Sequence, residues 1–441
     1  MHRLRPLILI AASMICMSAW LTPVFAQHDH EQPAPSRVPS GWQWTTDGAL
    51  FFGFNDQERK FRDFTAWESQ NWVMGGGRRT VGRGTLQLGT MLSFEPFTIA
   101  DLGSPQVFQT GETFARAPLI DYQHPHDLIM ELSGSYTHPW SRGAWVVAIG
   151  VVGPPAFGPP PFMHRASATD NPEAPLSHHY LDSTHITPGV ITLGGTMGSM
   201  TLEGSWFHGR EPDENRTDID LGTLDSYSLR VGWQRGPWSG QISGAQLTMP
   251  EAATPYDAQR LSASLTYTQP TGRHIAWTAA FGQKREIHGN FEAYLIEGSM
   301  QATRRNILYL RAESVAKDIL DAGFHPRGVF HRHRQSQVGA LTLGLVHDFF
   351  VTPVGRFGVG ADATGYLVPD NLQEPYGQPT SFHLFVRFRT DRGAEHVHAS
   401  RDNGGYGGNG LTGETEKRRS DGGYLSRTTL RAGGSSLLQR K

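Results

Sequence analysis

The chain has 441 residues, with 39 Lys and Arg against 41 Asp and Glu, a formal net charge of -2 and 20 histidines. That balance, with no basic block between about residues 41 and 389, argues against nucleic acid as a partner. The one cysteine, Cys16, leaves no disulfide to rely on, while 51 glycines, 10% aromatics and few helix-favouring stretches point to an all-β protein.

At the N-terminus, His2, Arg3 and Arg5 precede an apolar run from Pro6 to about Trp20, followed by Val24-Phe25-Ala26 and Gln27. A charged start, a short apolar stretch and a small residue at the cut predict a secretory signal peptide over 1–26. The other reading is an anchor helix, for which the run is short. Ser13-Met14-Ile15 before Cys16 fits a lipoprotein cleavage site poorly. Residues 27–40, with Pro33, Pro35 and Pro39, form a flexible segment in this reading. Beyond Ala26 no run of 18 apolar residues occurs, so no transmembrane helix is predicted.

From about residue 41 to 389 the chain alternates between apolar and polar residues in short bursts. Tyr227, Leu229, Val231 and Trp233 interleave with Ser228, Arg230 and Gly232; Leu261, Ala263, Leu265 and Tyr267 interleave with Ser262, Ser264 and Thr266. Period-2 patterning puts one set on each face of a strand. Sixteen such segments are predicted, near 42–55, 66–76, 84–94, 127–138, 143–152, 188–197, 200–208, 225–234, 238–248, 260–269, 273–283, 292–302, 305–315, 336–350, 355–367 and 381–389. Connections after even-numbered segments are tight, as at Arg235-Gly236-Pro237 and Pro270-Thr271-Gly272; those after odd-numbered segments are long, at 95–126, 153–187, 209–224 and 316–335. Sorting by parity is what periplasmic turns and extracellular loops require. The expected fold is therefore a transmembrane up-and-down antiparallel β-barrel of about 16 strands (14–18), with both termini in the periplasm.

Aromatic residues gather near the segment ends, among them Trp42, Trp44, Trp140, Trp145, Trp206, Trp233, Trp238, Phe349 and Phe350. Amphipathic rings prefer the headgroup level, so two interfacial girdles are predicted; the alternative is the aromatic core of a soluble β-protein. The opposite face carries Glu131, Glu203, Arg230, Arg311, Glu313 and Arg387. A basic residue facing lipid near the midplane costs ~2–4 kcal/mol, so these six are placed in the lumen. They fit either an electrostatic constriction that tunes selectivity or a salt-bridge network that fills the barrel.

Many of the 20 histidines fall in the long loops. Asp121-Tyr122-Gln123-His124-Pro125-His126-Asp127 puts two imidazoles at i, i+2 beside a carboxylate. The next long loop holds Met163-His164, His178-His179, Asp182 and His185; a later one holds His325, His331 and His333, and His28 and His30 lie near the N-terminus. Imidazole with carboxylate suits zinc, nickel or copper(II), while Met163 would favour copper(I). Candidate metal ligands are therefore His124, His126, Asp127, His164, His178, His179, Asp182 and His185, with Zn, Cu or another divalent metal as the ion. No spacing matches a defined zinc motif, and hydrogen bonding within packed loops explains the same residues. For catalysis, Asp127 with His124 or His126, or Asp182 with His185, are candidates. No Gly-x-Ser-x-Gly elbow supplies a nucleophile in the barrel region.

The last segment, Phe382-His383-Leu384-Phe385-Val386-Arg387-Phe388, resembles the closing strand of bacterial outer-membrane proteins, although residues 390–441, rich in Gly, Ser, Arg and Asp, continue beyond it and are expected to be a disordered tail. With the signal peptide and the alternation over 41–389, the chain resembles a porin-like outer-membrane β-barrel of a Gram-negative bacterium. The resemblance implies passive passage of small hydrophilic solutes or ions. It implies no enzymatic activity. It also implies outer-membrane lipid, lipopolysaccharide and the barrel-assembly machinery as partners, and a homotrimer as one assembly. Metal binding linked to heavy-metal uptake or resistance is the alternative function.

Overall fold

The computed structural model describes residues 41–115, 117–251, 256–321 and 334–390. The predicted signal peptide, the 27–40 segment, the tail beyond Thr390, and His28, His30, His325, His331 and His333 lie outside them.

Nineteen strands form among the described residues: β1 (Gln43–Arg59), β2 (Arg62–Glu68), β3 (Asn71–Val81), β4 (Gly84–Leu92), β5 (Ser104–Phe114), β6 (Ala117–Gln123), β7 (Ile129–Trp140), β8 (Gly143–Gly153), β9 (Thr187–Met197), β10 (Met200–Phe207), β11 (Ser226–Arg235), β12 (Trp238–Leu247), β13 (Ala258–Thr268), β14 (Ile275–Glu286), β15 (Gly289–Gln301), β16 (Asn306–Lys317), β17 (Ser336–Val351), β18 (Gly355–Leu367) and β19 (Thr380–Thr390). Seventeen join in one antiparallel sheet that closes where β19 pairs with β1, from Ala49↔Arg389 to Glu58↔Thr380. Strands β2 and β3, separated by Ser69 and Gln70, both pair with β1 and act as one stave, which makes a closed barrel of sixteen. β5 and β6 form a separate hairpin, so β4 pairs with β7 across it.

The alternation sets the two faces. On β11, Tyr227, Leu229 and Val231 are exposed while Ser226 and Ser228 are buried. Ile149, Leu193, Leu229, Ile242, Ile296 and Leu343, on six different staves, are each 56–62% exposed. Large apolar side chains around an entire outer wall are unfavourable in water and favourable in hydrocarbon, so the crossing is made by strands. Aromatic residues mark both rims. At the short-turn end, Trp238 packs 5.2 Å from Tyr267 and 5.2 Å from Trp277, ring centre to ring centre. At the other end, Trp67 lies 5.8 Å from Phe52 and 5.5 Å from Phe54, and Trp206 is exposed.

Two connections depart from the expected parity. β1–β2 and β14–β15 turn within two residues at the long-loop end, because their pairing continues to Arg59↔Arg62 and Glu286↔Gly289. The larger finding is the course of the two longest connections. Residues 93–128, which include the β5–β6 hairpin, and residues 154–186 fold inward. The second is buried along nearly its whole length. It is joined to the wall by Ala156 N–H to Ser205 Oγ (2.7 Å) and Gly158 N–H to Ser243 Oγ (2.9 Å). Where the loops press on the wall the inward positions are apolar: Ala293, Leu295, Val315 and Val338 pack against Val107, Phe108, Leu176 and Leu181.

Candidate functional site

Of the six predicted lumen residues, five pair with each other, with the wall or with the inserted loop. Arg230 Nη2 donates to Glu203 Oε2 (2.9 Å) and Arg230 Nη1 to the Gly158 carbonyl (3.3 Å). Arg311 donates to Glu297 Oε2 (3.2 Å) and to the Glu173 carbonyl (2.8 Å). Glu313 accepts the Leu176 and Ser177 N–H groups, each at 3.0 Å, and the Ser177 hydroxyl at 2.6 Å. Arg387 is paired with Asp170 of the loop and with Asp348 on β17 (2.6 Å). The sixth, Glu131, accepts the Ser133 hydroxyl and lines a cavity.

That cavity, ≈ 180 Å³, lies between the wall and the Pro154–Pro161 stretch. Glu131, Ser133, Ser135, Glu203 and Arg230 line one side, and His164, Asp182 and His185 close another. A second space of ≈ 40 Å³ lies between β1, β3, the first turn of the 93–128 loop and residues 162–174.

One residue that periodicity did not single out organises the loop. Arg165 donates from Nε to Glu297 Oε1 on β15 (2.6 Å), from Nη1 to the Pro160 carbonyl (2.9 Å), and to Asp182. Burial alone would raise the Asp182 carboxyl, but Arg165 and His178 outweigh it and hold it well below the ordinary carboxylate range.

The histidines are drawn together from both loops. His178 Nδ1 donates to Asp182 Oδ1 (2.7 Å), His185 Nδ1 to the Asp182 carbonyl (2.8 Å), and His126 Nδ1 to Glu95 Oε2 (2.8 Å). His185 stacks edge-on between His126 and His178, with centroids 5.4 and 5.3 Å away. Burial lowers His178 to about 4 and pushes His185 and His124 well below the ordinary imidazole value, so these rings are neutral at pH 7. His164 packs against Trp72, 4.7 Å between ring centres. Asp127 faces Arg216 (3.4 Å) and burial, opposed by that arginine, raises it to about 6.

His124 and His179 meet a carboxylate that the sequence reading did not select, Glu112 on β5. One ligand atom from each of the three lies within 4.8 Å of the others. Glu211, from the 208–225 connection, stands beside them, with Oε1 3.9 Å from His179 Nδ1. Burial first, then the Glu211 carboxylate, push Glu112 up to about 8. Neither glutamate carries a local sequence signal, because each reaches the cluster only through the fold of a loop.

No protein-family profile and no curated protein matches the chain. Among solved structures it is similar to the anion-selective porin of Comamonas acidovorans, at 12% identity over 79% of this chain and 100% of that one, with a TM-score of 0.47. It is also similar to OmpF of Salmonella typhi in complex with daunomycin, at 9% identity, 78% and 97% coverage and a TM-score of 0.49. OmpT, an outer membrane protein of Vibrio cholerae, is similar at 10% identity, 80% and 98% coverage and a TM-score of 0.41. The chain is a closed, antiparallel, up-and-down β-barrel of sixteen staves. Its closure stands on its own hydrogen-bonded register.

Proposed function

We propose that this porin-like barrel is a restricted channel of the outer membrane, passing small hydrophilic solutes or ions between the wall and its inserted loops. The observation that carries this reading is the cavity beside Pro154–Pro161, where Ser133, Ser135, Thr192 and charges of both signs at Glu131, Glu203 and Arg230 stand among methionine and proline side chains. Fixed charges of both signs inside the barrel suit hydrated ions and small polar solutes. The inserted loop packs into the interior that an open sixteen-strand barrel would leave to water. Glu131, Glu203 and Arg230 are the residues placed to set ion preference. Arg311, Glu313 and Arg387 hold the loop.

Export by the N-terminal signal, insertion by the barrel-assembly machinery, contact with lipopolysaccharide and trimer formation belong to the same reading. Transport rather than catalysis is favoured because the Asp127 and Asp182 carboxylates are engaged by Arg216 and Arg165. The test is conductance of the purified protein in planar bilayers. Small, stable steps are expected, with ion preference shifted by Glu203→Gln together with Arg230→Gln. No conductance, either from the native chain or from a chain with Arg165 replaced to loosen the loop, would overturn the channel.

A further inference from the structure

We propose that Glu112, His124 and His179, with Glu211 at the edge, form a binding site for a divalent transition-metal ion of the zinc or copper(II) class. The site lies in the 93–128 hairpin where it meets the helical turn of the other inserted loop, and it is separate from the cavity assigned to solute passage.

Four observations converge. The ligand atoms of Glu112, His124 and His179 lie within 4.8 Å of one another. A tetrahedral ion with bonds of ~2.1 Å holds its ligand atoms ~3.4 Å apart, so small side-chain movements close the shell. His124 is already oriented as a ligand. Its Nδ1 must donate to the Pro125 carbonyl (2.9 Å), which leaves the Nε2 lone pair aimed at Glu112 Oε1 (2.9 Å). A backbone carbonyl fixing one ring nitrogen is the usual support of a metal-bound imidazole.

The third observation is the unpartnered set. His179 is 3% exposed, yet neither ring nitrogen has a partner at hydrogen-bond distance, the nearest carboxylate oxygen being Glu211 Oε1 at 3.9 Å from Nδ1, and Glu211 Oε2 likewise has none. A buried polar group left without a partner is destabilising, so a cluster held only by hydrogen bonds leaves this ring unexplained. Finally, the backbone makes room for the ring: Gly111 has φ +132, and a Cβ there would stand 2.8 Å from His179 Nδ1.

The surrounding charges support this placement. Arg216 Nη2 lies 3.7 Å from Glu112 Oε2, and Arg260 Nη2 lies 3.4 Å from Glu211 Oε1. Arg216 takes one oxygen of Glu112 and leaves Oε1 on His124 Nε2, whereas Arg260 and His179 share Glu211 Oε1. Two imidazoles and carboxylate without thiolate favour a borderline ion over copper(I), and are too rich in nitrogen for calcium or magnesium.

The experiment uses the untagged full chain in detergent, freed of metal and then titrated with Zn²⁺ or Cu²⁺ while heat release and bound metal are measured. One ion per barrel is expected, with affinity falling roughly 100-fold or more in a His124→Gln, His179→Gln double variant. Folding of that variant is checked by its heat-modifiable migration on gels. A His126→Gln, His185→Gln variant should bind as the native chain does. No saturable uptake by the native chain would overturn the site. So would uptake that survives in the folded double variant, or that is lost instead with His126 and His185 or with the exposed Asp213, Asp218 and Asp220 group. Because the site and the solute cavity differ, conductance without metal uptake would defeat this proposal and leave the channel standing.

Discussion

Arg165 joins three parts of the molecule through one guanidinium: β15 at Glu297, the loop's entry at Pro160 and its exit at Asp182. Removing one partner of a buried pair leaves the others charged and uncompensated, at a cost of about 3–5 kcal/mol. Arg165→Met should therefore undock residues 154–186 while leaving the barrel closed. Larger conductance steps and faster proteolysis within the loop are the expected readings, with heat-modifiable migration retained. Unchanged steps would show that the loop is held elsewhere. His185 gives the loop a pH dependence of known sign. Its imidazole is depressed by burial, and by His178 and His126 nearby. Below the ordinary value of 6.5 the undocked ring therefore takes up a proton that the docked ring refuses, and docking weakens as pH falls. Asp127, raised to about 6, works in the opposite sense over part of that range. The comparison is therefore between the native chain and His185→Gln. Between pH 7.5 and 5 the native melting temperature should fall further than that of the variant, and parallel profiles would count against the assignment.

At the level of elements, the inserted loop depends on one tight crossing. Gly158 has φ +69, and a Cβ there would stand 1.9 Å from the Leu181 carbonyl oxygen. Its own N–H and carbonyl bind Ser243 and Arg230. Gly158→Ala should behave like the loss of Arg165, with raised conductance and a proteolysed loop. An unaltered channel would mean that the crossing can relax. The contrast between staves and loops explains what could be read from the residues. The stave Gly355–Leu367 was legible to the residue, and most others to within a few, because period 2 and turn glycines are local properties. β2 and β3 read as one segment because the break at Ser69-Gln70 leaves the direction of the stave unchanged. The β5–β6 hairpin was not legible. Phe108 and Asp121 take positive φ, of 67 and 65, and its pairing shifts register twice. His124 and His179 were legible as ligand types, whereas Glu112 and Glu211 were not, since the β5–β6 hairpin brings Glu112 to His124 and a third connection brings Glu211 to His179.

The whole molecule combines two solvents and one packed interior. Its outer wall is apolar in the middle and aromatic at the rims, and its inner wall mixes polar groups with apolar patches where the loops lean on it, at Leu176, Leu181 and Phe108 and again at Phe162, Met163 and Ile186. The inner face therefore resembles the core of a soluble domain, and the outer face the reverse. This predicts a depth dependence that a water-soluble barrel would lack. Leu343 sits halfway along β17, opposite Leu310 and Ala363, with 59% of its surface exposed. Phe350 lies near the short-turn rim on the same strand, 65% exposed. Their exposure is similar, so in water Leu343→Arg and Phe350→Arg should have similar, small effects. In a bilayer the first should cost about 2–4 kcal/mol and the second about 0–1 kcal/mol. Unfolding by denaturant from lipid vesicles, followed by tryptophan fluorescence, measures the difference directly. Equal losses at the two positions would contradict a lipid belt centred on the middle of the staves; a loss confined to Leu343→Arg places the membrane around that belt.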